Sequence, residues 1–306
     1  MLHGGVSKRE QVKMQRFREA VAACVRCIAP AGVLPGWIWR HLPARRTFRM
    51  ALSGEASFRY AAAPDDAIGR ALYWDGLDAC EPETAHVFMQ LAKKAVHVLD
   101  IGANTGIYTL LACAVNPSVR VVAFEPVPST YARLCDNIRL NGWEMRCETR
   151  NEAVSSHVGS TLLHVPHSET PTSASLHPGG FRGMPGKLIE VPLTTVAAAC
   201  HDGGQVDLVK IDVEGFEDQV LEGMLPLLAR AKPAIIIECT PDGPYEAIQN
   251  ILGRFGYQYF HLHKRGPVLT QEIIPCVAER YRNYLCLPAG AQLDVESGEH
   301  LSRLWR

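Results

Sequence analysis

The spacing of apolar residues along the chain changes near residue 95. Before that point, near-helical intervals over residues 8–28 predict an amphipathic helix with apolar positions at Val12, Phe17, Val21 and Val25. Alternation over residues 47–60 predicts a β-hairpin that turns at Ser53 and Gly54. Two more helices are predicted over 65–74 and 82–94. Together these elements form a predicted N-terminal extension and cap, residues 1–94.

From residue 95 the chain alternates between strand and helix patterns. Strands are predicted at 96–100, 119–124, 145–150, 206–211 and 233–238. Helices are predicted at 106–115, 128–140, 215–230 and 244–254. Several strands are apolar throughout, which suits a parallel sheet covered on both faces. The alternation predicts an α/β fold with a doubly wound sheet, in which ligands bind outside the carboxyl ends of the strands.

An insert interrupts this alternation between residues 160 and 193. Two strand-like pieces, 160–165 and 187–193, flank a stretch rich in Gly, Pro, Ser and His. A long loop in a compact domain is usually either functional or disordered. We therefore expect the insert and the N-terminal cap to close over a ligand.

Composition narrows the class of protein. The chain has 306 residues, of which 47% are hydrophobic and 21% charged, and its net charge of −1 disfavours nucleic-acid binding. No apolar run reaches the roughly 18 residues that a membrane span needs. Ten cysteines are scattered singly except for Cys24 and Cys27, for which apolar packing is favoured over zinc binding. A reducing cytoplasm fits this usage best.

The N-terminal region allows two interpretations. The apolar stretch from Ala20 to Ala31 lies near a cluster of aromatic and basic residues that could rest on a membrane surface: Trp37, Trp39, Arg40, Arg45 and Arg46. Packing of the helix on its own domain is the favoured alternative. Peripheral membrane contact stays open.

The first predicted strand of the sheet ends in the stretch Asp100-Ile-Gly-Ala-Asn-Thr-Gly106. Its glycines let the backbone approach a ligand closely. The dinucleotide pattern G-x-G-x-x-G is absent because Asn104 stands where that pattern needs glycine, and no Gly-Lys-Ser/Thr phosphate loop follows. Asp100 opposes a phosphate and suits a ligand with an ammonium group.

Two further strand ends carry polar residues. Glu125 follows the second strand, where a carboxylate can accept both hydroxyls of a ribose. Pro126 and Val127 offer an apolar surface to a flat base. In Asn151-Glu152-Ala153, after the third strand, a side chain could bind the edge of that base.

These stretches match a known pattern. D-I-G-A-N-T-G, F-E-P and N-E-A-V-S together resemble the class I S-adenosylmethionine-dependent methyltransferases. V-K-I-D-V-E-G-F-E at 209–217 and R-N-Y-L-C-L-P at 282–288 resemble, more narrowly, the FkbM family of methyltransferases. The resemblance covers about residues 75–288. It implies a Rossmann-like, mostly parallel seven-stranded sheet in a methyltransferase domain over 95–290, followed by a C-terminal tail, 291–306.

The resemblance also implies a set of cofactor-binding residues. Asp100 would help to hold the amino group of S-adenosylmethionine, directly or through water, and Glu125 would bind the ribose. The methionine part would lie on Gly102, Ala103, Asn104 and Gly106, and the adenine would lie beside Pro126 and Val127, with Glu152 and Ala153 as weaker candidates for its edge. The structural alternatives are a helix N-cap for Asp100 and a solvated strand end for Glu125.

The carboxylates of the fourth and fifth strand ends are the candidates for catalysis. Asp212 ends its strand and is expected to contact the acceptor or a bound metal, with Glu214 beside it and Glu238 facing the same pocket. Glu217 either joins this cluster or favours the N-terminus of the next helix. Asp212 and Glu238 suit Mg²⁺ as oxygen ligands, and equally suit sugar hydroxyls.

Other candidates are less specific. His167 or His177 in the insert could act as a base. His261 and His263 form an H-x-H, for which polar side chains at the surface are favoured over a zinc site. Tyr73 and Trp74 of the cap and Tyr108 of the first helix after the glycine loop could line the pocket. Packing in the core is an equally open alternative for each of them.

The sequence therefore predicts a cytoplasmic S-adenosylmethionine-dependent O-methyltransferase that acts on a hydroxyl of a natural product, sugar or glycan. One alternative is an NAD-dependent oxidoreductase on the same fold, which the missing G-x-G-x-x-G disfavours. Another is a non-catalytic cofactor-binding module, since a fold alone does not establish activity. The identity of the acceptor and the oligomeric state stay open.

Overall fold

A central sheet of eight strands organises the chain in the computed structural model, which describes residues 8–29, 33, 42, 44–63, 66–79, 81–166, 186–199, 205–276 and 281–291. Its strands are β3 (His97–Ile101), β4 (Arg120–Phe124), β5 (Cys147–Arg150), β9 (Leu208–Ile211), β10 (Ala234–Glu238), β11 (Tyr257–His263), β12 (Gly266–Thr270) and β13 (Asn283–Pro288). The order across the sheet is β12-β11-β13-β10-β9-β3-β4-β5. Strands β12 and β13 run opposite to the other six.

Helices cover both faces of this sheet, as its doubly wound pattern predicts. They are α1 (Lys8–Ile28), α2 (Ala67–Asp75), α3 (Pro82–Ala92), α4 (Ile107–Val115), α5 (Pro128–Asn141), α6 (Val196–Ala199), α7 (Glu217–Gly223), α8 (Leu225–Arg230) and α9 (Tyr245–Arg254). Alternate residues of a strand pack into two separate hydrophobic cores, one on each face of the sheet. Val98 packs with Leu110 and Leu111 of α4, whereas Leu99 and Ile101 pack on the opposite face.

The mostly parallel α/β sheet agrees with the prediction, and its strand count exceeds the predicted seven by one. The extra strand is β12, which forms an antiparallel hairpin with β11 at one edge. The hairpin turn has Gly266 at φ 99°, a conformation that favours glycine. Strand β13 lies inside the sheet, where it is inserted antiparallel between β10 and β11.

Two smaller sheets flank the main one. Strands β1 (Thr47–Ala51) and β2 (Ser57–Ala61) form the predicted N-terminal hairpin. Strands β7 (Gly159–Pro166) and β8 (Gly186–Thr194) pair antiparallel and hold the ends of the insert, and the short β6 (Ala153–Val154) pairs with β8. The predicted helix at 215–230 is two helices, because the chain leaves α7 and enters α8 at Met224.

The surface of α1 corrects two sequence predictions. The helix forms where predicted, but Phe17 and Val21 of its predicted packing face are exposed. Cys24 and Cys27 are also exposed, so the predicted apolar packing of this pair is wrong.

Three predicted regions lie outside the described residues. They are the stretch with Trp37, Trp39 and Arg40, the central part of the insert over 167–185, and the predicted tail beyond residue 291. None of the described helices is both long and apolar enough to cross a bilayer.

Candidate active site

A cavity of about 310 Å³ opens where the carboxyl ends of β3, β4, β9 and β10 meet. This is where the doubly wound topology predicts a ligand site. Its wall includes all three predicted catalytic residues, Asp212, Glu214 and Glu238. Seven of the predicted cofactor-binding residues also line it, namely Gly102, Ala103, Asn104, Glu125, Pro126, Glu152 and Ala153.

The glycine loop after β3 is shaped by backbone conformations that only small residues adopt easily. Gly102 has φ 80°, and a Cβ there would collide with the backbone oxygen of Asp212. Gly106 has φ 95°, and its Cβ would lie 2.6 Å from Leu134 Cδ1. Gly102 thus lets the ends of β3 and β9 approach closely, while Gly106 lets α5 pack against the start of α4. Gly106 does not itself line the cavity.

Asp100 is buried and does not line the cavity, contrary to a direct contact with a ligand. Its Oδ2 accepts hydrogen bonds from the backbone N–H of Thr109 at 2.9 Å and from the Thr109 hydroxyl at 2.6 Å. Burial raises the pKa of Asp100 to about 6, against the lowering effect of these hydrogen bonds. The Asp100 carboxylate therefore accepts a hydrogen bond from a backbone N–H in the first turn of α4. This role resembles that of a helix N-cap, which was the structural alternative for Asp100.

Glu125 follows β4 and lines the cavity, and a backbone N–H group donates a hydrogen bond to each of its carboxylate oxygens. Oε2 accepts from the N–H of Asn104 at 3.0 Å, and Oε1 accepts from the N–H of Val127 at 2.8 Å. Burial raises the pKa of Glu125 to about 7 despite these two hydrogen bonds. Each oxygen keeps a second lone pair for a ligand hydroxyl.

Val127 and Asn151 help to hold the loop that carries Glu125, and neither of them lines the cavity. The Val127 side chain packs in a small apolar cluster with Leu163 and Val191 and does not line the cavity, so its predicted contact with a base is not observed. The Asn151 amide donates to the backbone oxygens of Glu125 and Pro126 at 2.8 and 3.0 Å. These bonds fix the loop that presents Glu125.

The N-terminal hairpin is bonded to the glycine loop. The buried hydroxyl of Tyr60 lies 2.9 Å from both Asp66 Oδ2 and Thr105 Oγ1. Asn137 of α5 joins the same elements, since its amide donates to Thr105 O and accepts from Ala61 N–H. Residues of the predicted cap thereby support the loop that borders the cavity.

Asp212 forms an ion pair with a lysine that sequence reasoning did not single out. Lys210 Nζ lies 3.1 Å from Asp212 Oδ2 and also donates to Asn283 Oδ1 at 3.3 Å. Lys210 is fully buried, and its ammonium group lies 5.1 Å from the centre of the Tyr108 ring. Burial acts to lower the pKa of Lys210, but the neighbouring carboxylates Asp212, Glu81 and Glu238 outweigh it, and the pKa is raised.

Glu81 is a second residue that sequence reasoning missed. It lines the cavity and accepts a hydrogen bond from the Tyr108 hydroxyl at 3.3 Å. Burial is the largest cause of its raised pKa, and Lys210 opposes that rise. Its backbone has φ 45°, which is uncommon for a residue other than glycine. In the sequence Glu81 is marked only by its position directly before Pro82, which begins α3.

Glu238 ends β10 and faces the same cluster. Burial first, and then the charges of Asp212 and Glu214, raise its pKa to about 9. The Arg282 guanidinium is 3.9 Å away, too far for a hydrogen bond. The raised pKa favours the protonated carboxyl, and in that form Glu238 can donate a hydrogen bond into the cavity.

Glu217 serves the loop before α7 and does not line the cavity. Its Oε1 accepts from the backbone N–H of Gly215 at 3.1 Å and of Val213 at 3.3 Å. Burial raises the pKa of Glu217 to about 7. Because it holds the loop in which Glu214 has φ 55° and Gly215 has φ 100°, Glu217 shapes the cavity wall indirectly.

The aromatic candidates are also resolved. Tyr108 lines the cavity, whereas Tyr73 and Trp74 are buried in the core.

His261 and His263 lie on β11 with ring centres 6.2 Å apart. Within the described part of the chain, no group of three or more His, Cys, Asp or Glu side chains is placed to hold a metal ion. His167 and His177 fall outside that part.

The donor set at Asp212 and Glu238 does not fit the Mg²⁺ that these residues suggested. One oxygen of Asp212 already binds Lys210, and among the described residues Asp212 and Glu238 belong to no group of three or more side chains placed to hold a metal ion. The cavity does fit an organic cation. Its described lining includes six carboxyl residues and no lysine, arginine or histidine: Glu81, Glu125, Glu152, Asp212, Glu214 and Glu238.

Comparison with known proteins assigns the family. The model of the methyltransferase FkbM domain matches residues 100–259, which is just over half of the chain. The match begins within β3 and includes the loops that carry Glu125 and Asp212. The chain therefore belongs to the FkbM methyltransferase family, an assignment that gives the oxidoreductase alternative no support.

Two relatives carry methyltransferase names. The 31-O-demethyl-FK506 methyltransferase FkbM of Streptomyces tacrolimicus is 30% identical over 152 residues, which are 42% of this chain and 58% of the relative. Methyltransferase sdnD of Sordaria araneosa is 27% identical over 156 residues, which are 42% of this chain and 60% of the relative. The chain thus spans less than two thirds of the length of these two relatives.

A solved structure is similar at low identity. Methyltransferase FkbM from Methylobacillus flagellatus KT is 16% identical, with a TM-score of 0.42 over 72% of this chain and 55% of that one.

Proposed function

We propose that this chain is an S-adenosylmethionine-dependent O-methyltransferase whose acceptor is a hydroxyl of a natural product, sugar or glycan. One observation carries the proposal: a single cavity joins a glycine loop and buried Glu125 on one side to the ion-paired Asp212 on the other. Family membership supports the reaction class. Transfer to oxygen is supported by the name of the Streptomyces relative.

The cofactor side comprises the glycine loop and Glu125. S-adenosylmethionine supplies an electrophilic methyl group on a sulfonium when bound. Glu125 would accept hydrogen bonds from the ribose hydroxyls, and Gly102, Ala103 and Asn104 would border the methionine part. Pro126, Glu152 and Ala153 would border the adenine. The carboxyl-rich wall favours a ligand that carries sulfonium and ammonium charges.

The acceptor side comprises Asp212, Glu238, Glu81 and Tyr108. Asp212, held by Lys210, would orient the acceptor hydroxyl and accept its proton. Alignment of this kind is worth roughly 7–11 kcal/mol of a barrier, and a positioned base adds about 10²–10⁴-fold. Glu238 in its protonated form would donate a hydrogen bond to a second oxygen of the acceptor. Ile68 and Tyr108, which line the cavity, would restrict the access of water.

The test is transfer of a labelled methyl group by the purified full chain. Calorimetry first measures S-adenosylmethionine binding, and a panel of polyols, glycosides and lipid-linked glycans is then offered with and without a chelator. We expect binding, transfer to at least one hydroxyl, and no effect of the chelator. Asp212→Asn should abolish transfer and leave cofactor affinity within a few-fold. A chain that binds no S-adenosylmethionine, or wild-type turnover in Asp212→Asn, contradicts the proposal.

A further inference from the structure

Helix α1 carries an exposed apolar stripe. Its members are Met14, Phe17, Val21, Cys24 and Ile28, which recur at alternating intervals of three and four residues. Such intervals place side chains on one face of a helix. All five residues are exposed, with Met14 at 57%, Phe17 at 70% and Ile28 at 86%. The described protein leaves this face uncovered.

The opposite face attaches the helix to the protein. Ala22 is fully buried, and Arg26 Nε donates to the backbone oxygen of Tyr73 at 2.8 Å. The Arg26 guanidinium also lies 5.7 Å from the centre of the Tyr73 ring, whose hydroxyl donates to Ala22 O at 3.3 Å. These contacts fix the rotation of α1 and direct the stripe outward. Its exposure is therefore set by specific contacts on the other side.

The charge of α1 indicates what covers the stripe. The 21 residues of the helix include six lysines or arginines and two glutamates, a net charge of +4. The whole chain has 31 basic and 32 acidic residues, so the rest of the chain has a net charge of −5. Two copies of α1 packed stripe to stripe would bring like charges together. A surface of anionic lipids attracts the same charges.

We propose that α1 binds the surface of an anionic membrane, with its apolar stripe at the boundary between headgroups and acyl chains. An amphipathic helix with a cationic polar face is the kind of element that binds there. The anchor adjoins the candidate active site, because α2 carries both Tyr73, which contacts α1, and Ile68, which lines the cavity. This inference is independent of the proposed function, and its test needs no methyl acceptor.

The test is co-sedimentation of the full chain with vesicles. One set is pure phosphatidylcholine and the other contains about one third phosphatidylglycerol. We expect at least about tenfold more binding to the anionic vesicles, and a decline as salt screens the attraction. A chain that does not bind anionic vesicles, or that binds both sets equally, overturns the proposal.

Variants connect the binding to the stripe. Met14→Ser combined with Phe17→Ser should weaken vesicle binding at least about tenfold, because two apolar side chains no longer enter the lipid. The matched control is Met145→Ser, at a 91% exposed position outside α1, which should bind like the wild type. Circular dichroism checks that both variants fold. Equal binding by the double variant and the wild type would overturn the assignment to α1.

Light scattering addresses the competing partner, a second copy of the chain. If the wild type forms a dimer that the double variant loses, and neither protein binds vesicles, the stripe is a dimer interface and the membrane proposal is wrong. A wild type whose oligomeric state is unchanged by the double substitution, together with the vesicle results above, supports it.

Discussion

The ammonium group of Lys210 lies 3.1 Å from the carboxylate of Asp212, and this ion pair joins the interior of the sheet to the wall of the cavity. The two residues are separated by one position in the sequence. Lys210 lies within β9 and is fully buried, whereas Asp212 follows the strand and its side chain is about one third exposed. Lys210 is therefore a positioning residue, because it acts through Asp212 and does not line the cavity.

Lys210→Met should reduce both stability and turnover. Removing one partner of a buried ion pair typically costs about 3–5 kcal/mol, because the remaining carboxylates lose their compensating charge. We expect a decrease of roughly this size in the free energy of unfolding in urea, and a fall in kcat of at least about tenfold as Asp212 loses its fixed orientation. The matched control is Lys187→Met at an exposed position of β8. Equal unfolding free energies for the two variants would contradict the assigned role.

The sequence predicts the location of the cavity because topology alone brings the carboxyl ends of neighbouring parallel strands together. Glu125, Asp212 and Glu238 each end a strand or follow it directly, and all three line the cavity. Asp100 shows the limit of this argument. Its predicted strand ended at residue 100, but β3 continues to Ile101, so Asp100 lies within the strand and its carboxylate is buried against Thr109 of α4.

Glu81 and Lys210 required the structure for a different reason. They lie 129 positions apart, and only the docking of α3 on the sheet brings them together. A lysine within an apolar strand does signal a buried partner, since an unpaired buried charge is costly. That signal cannot say which carboxylate is the partner. The eighth strand was missed because the hairpin of β11 and β12 is exposed along one edge, so its apolar pattern is weak.

Glu125→Gln should weaken S-adenosylmethionine binding at least tenfold, a difference of about 1.4 kcal/mol. The amide keeps the shape of the side chain, but its NH₂ group cannot accept a hydrogen bond from a ribose hydroxyl, and it would also face a backbone N–H. Calorimetry at pH about 8, above the raised pKa of Glu125, measures the effect. Glu144→Gln, at an exposed turn, is the control. Unchanged affinity in Glu125→Gln would refute the ribose assignment.

Gly102→Ala should destabilise the chain more than Gly54→Ala does. Both glycines have positive φ, 80° and 73°, so both substitutions incur the backbone strain of roughly 1–2 kcal/mol. Only Gly102 has a neighbour in the way, since its Cβ would meet the backbone oxygen of Asp212, whereas nothing lies within 4 Å of a Cβ on Gly54. Urea unfolding should show an additional loss of about 2 kcal/mol or more for Gly102→Ala. Equal losses would mean that the ends of β3 and β9 are less closely packed than described.

The raised pKa of Glu238 predicts how stability varies with pH. Below the ordinary glutamate pKa of 4.5, the carboxyl is protonated in both the folded and the unfolded chain and contributes no pH dependence. Between about 4.5 and 9 the unfolded chain loses this proton while the folded chain keeps it. The folded state then binds more protons, so its contribution to the free energy of unfolding falls as pH rises.

Glu238→Gln removes this dependence because the amide does not ionise. From pH about 5 to pH about 8, the stability of the variant relative to the wild type should rise by roughly 2–4 kcal/mol, as one proton contributes about 1.4 kcal/mol per pH unit. Urea unfolding at several pH values measures this difference. Glu246→Gln, exposed in the first turn of α9, should show no such trend. A difference that stays constant across the range would mean that Glu238 is ionised in the folded protein, and its proposed role as a hydrogen-bond donor to the acceptor would then fail.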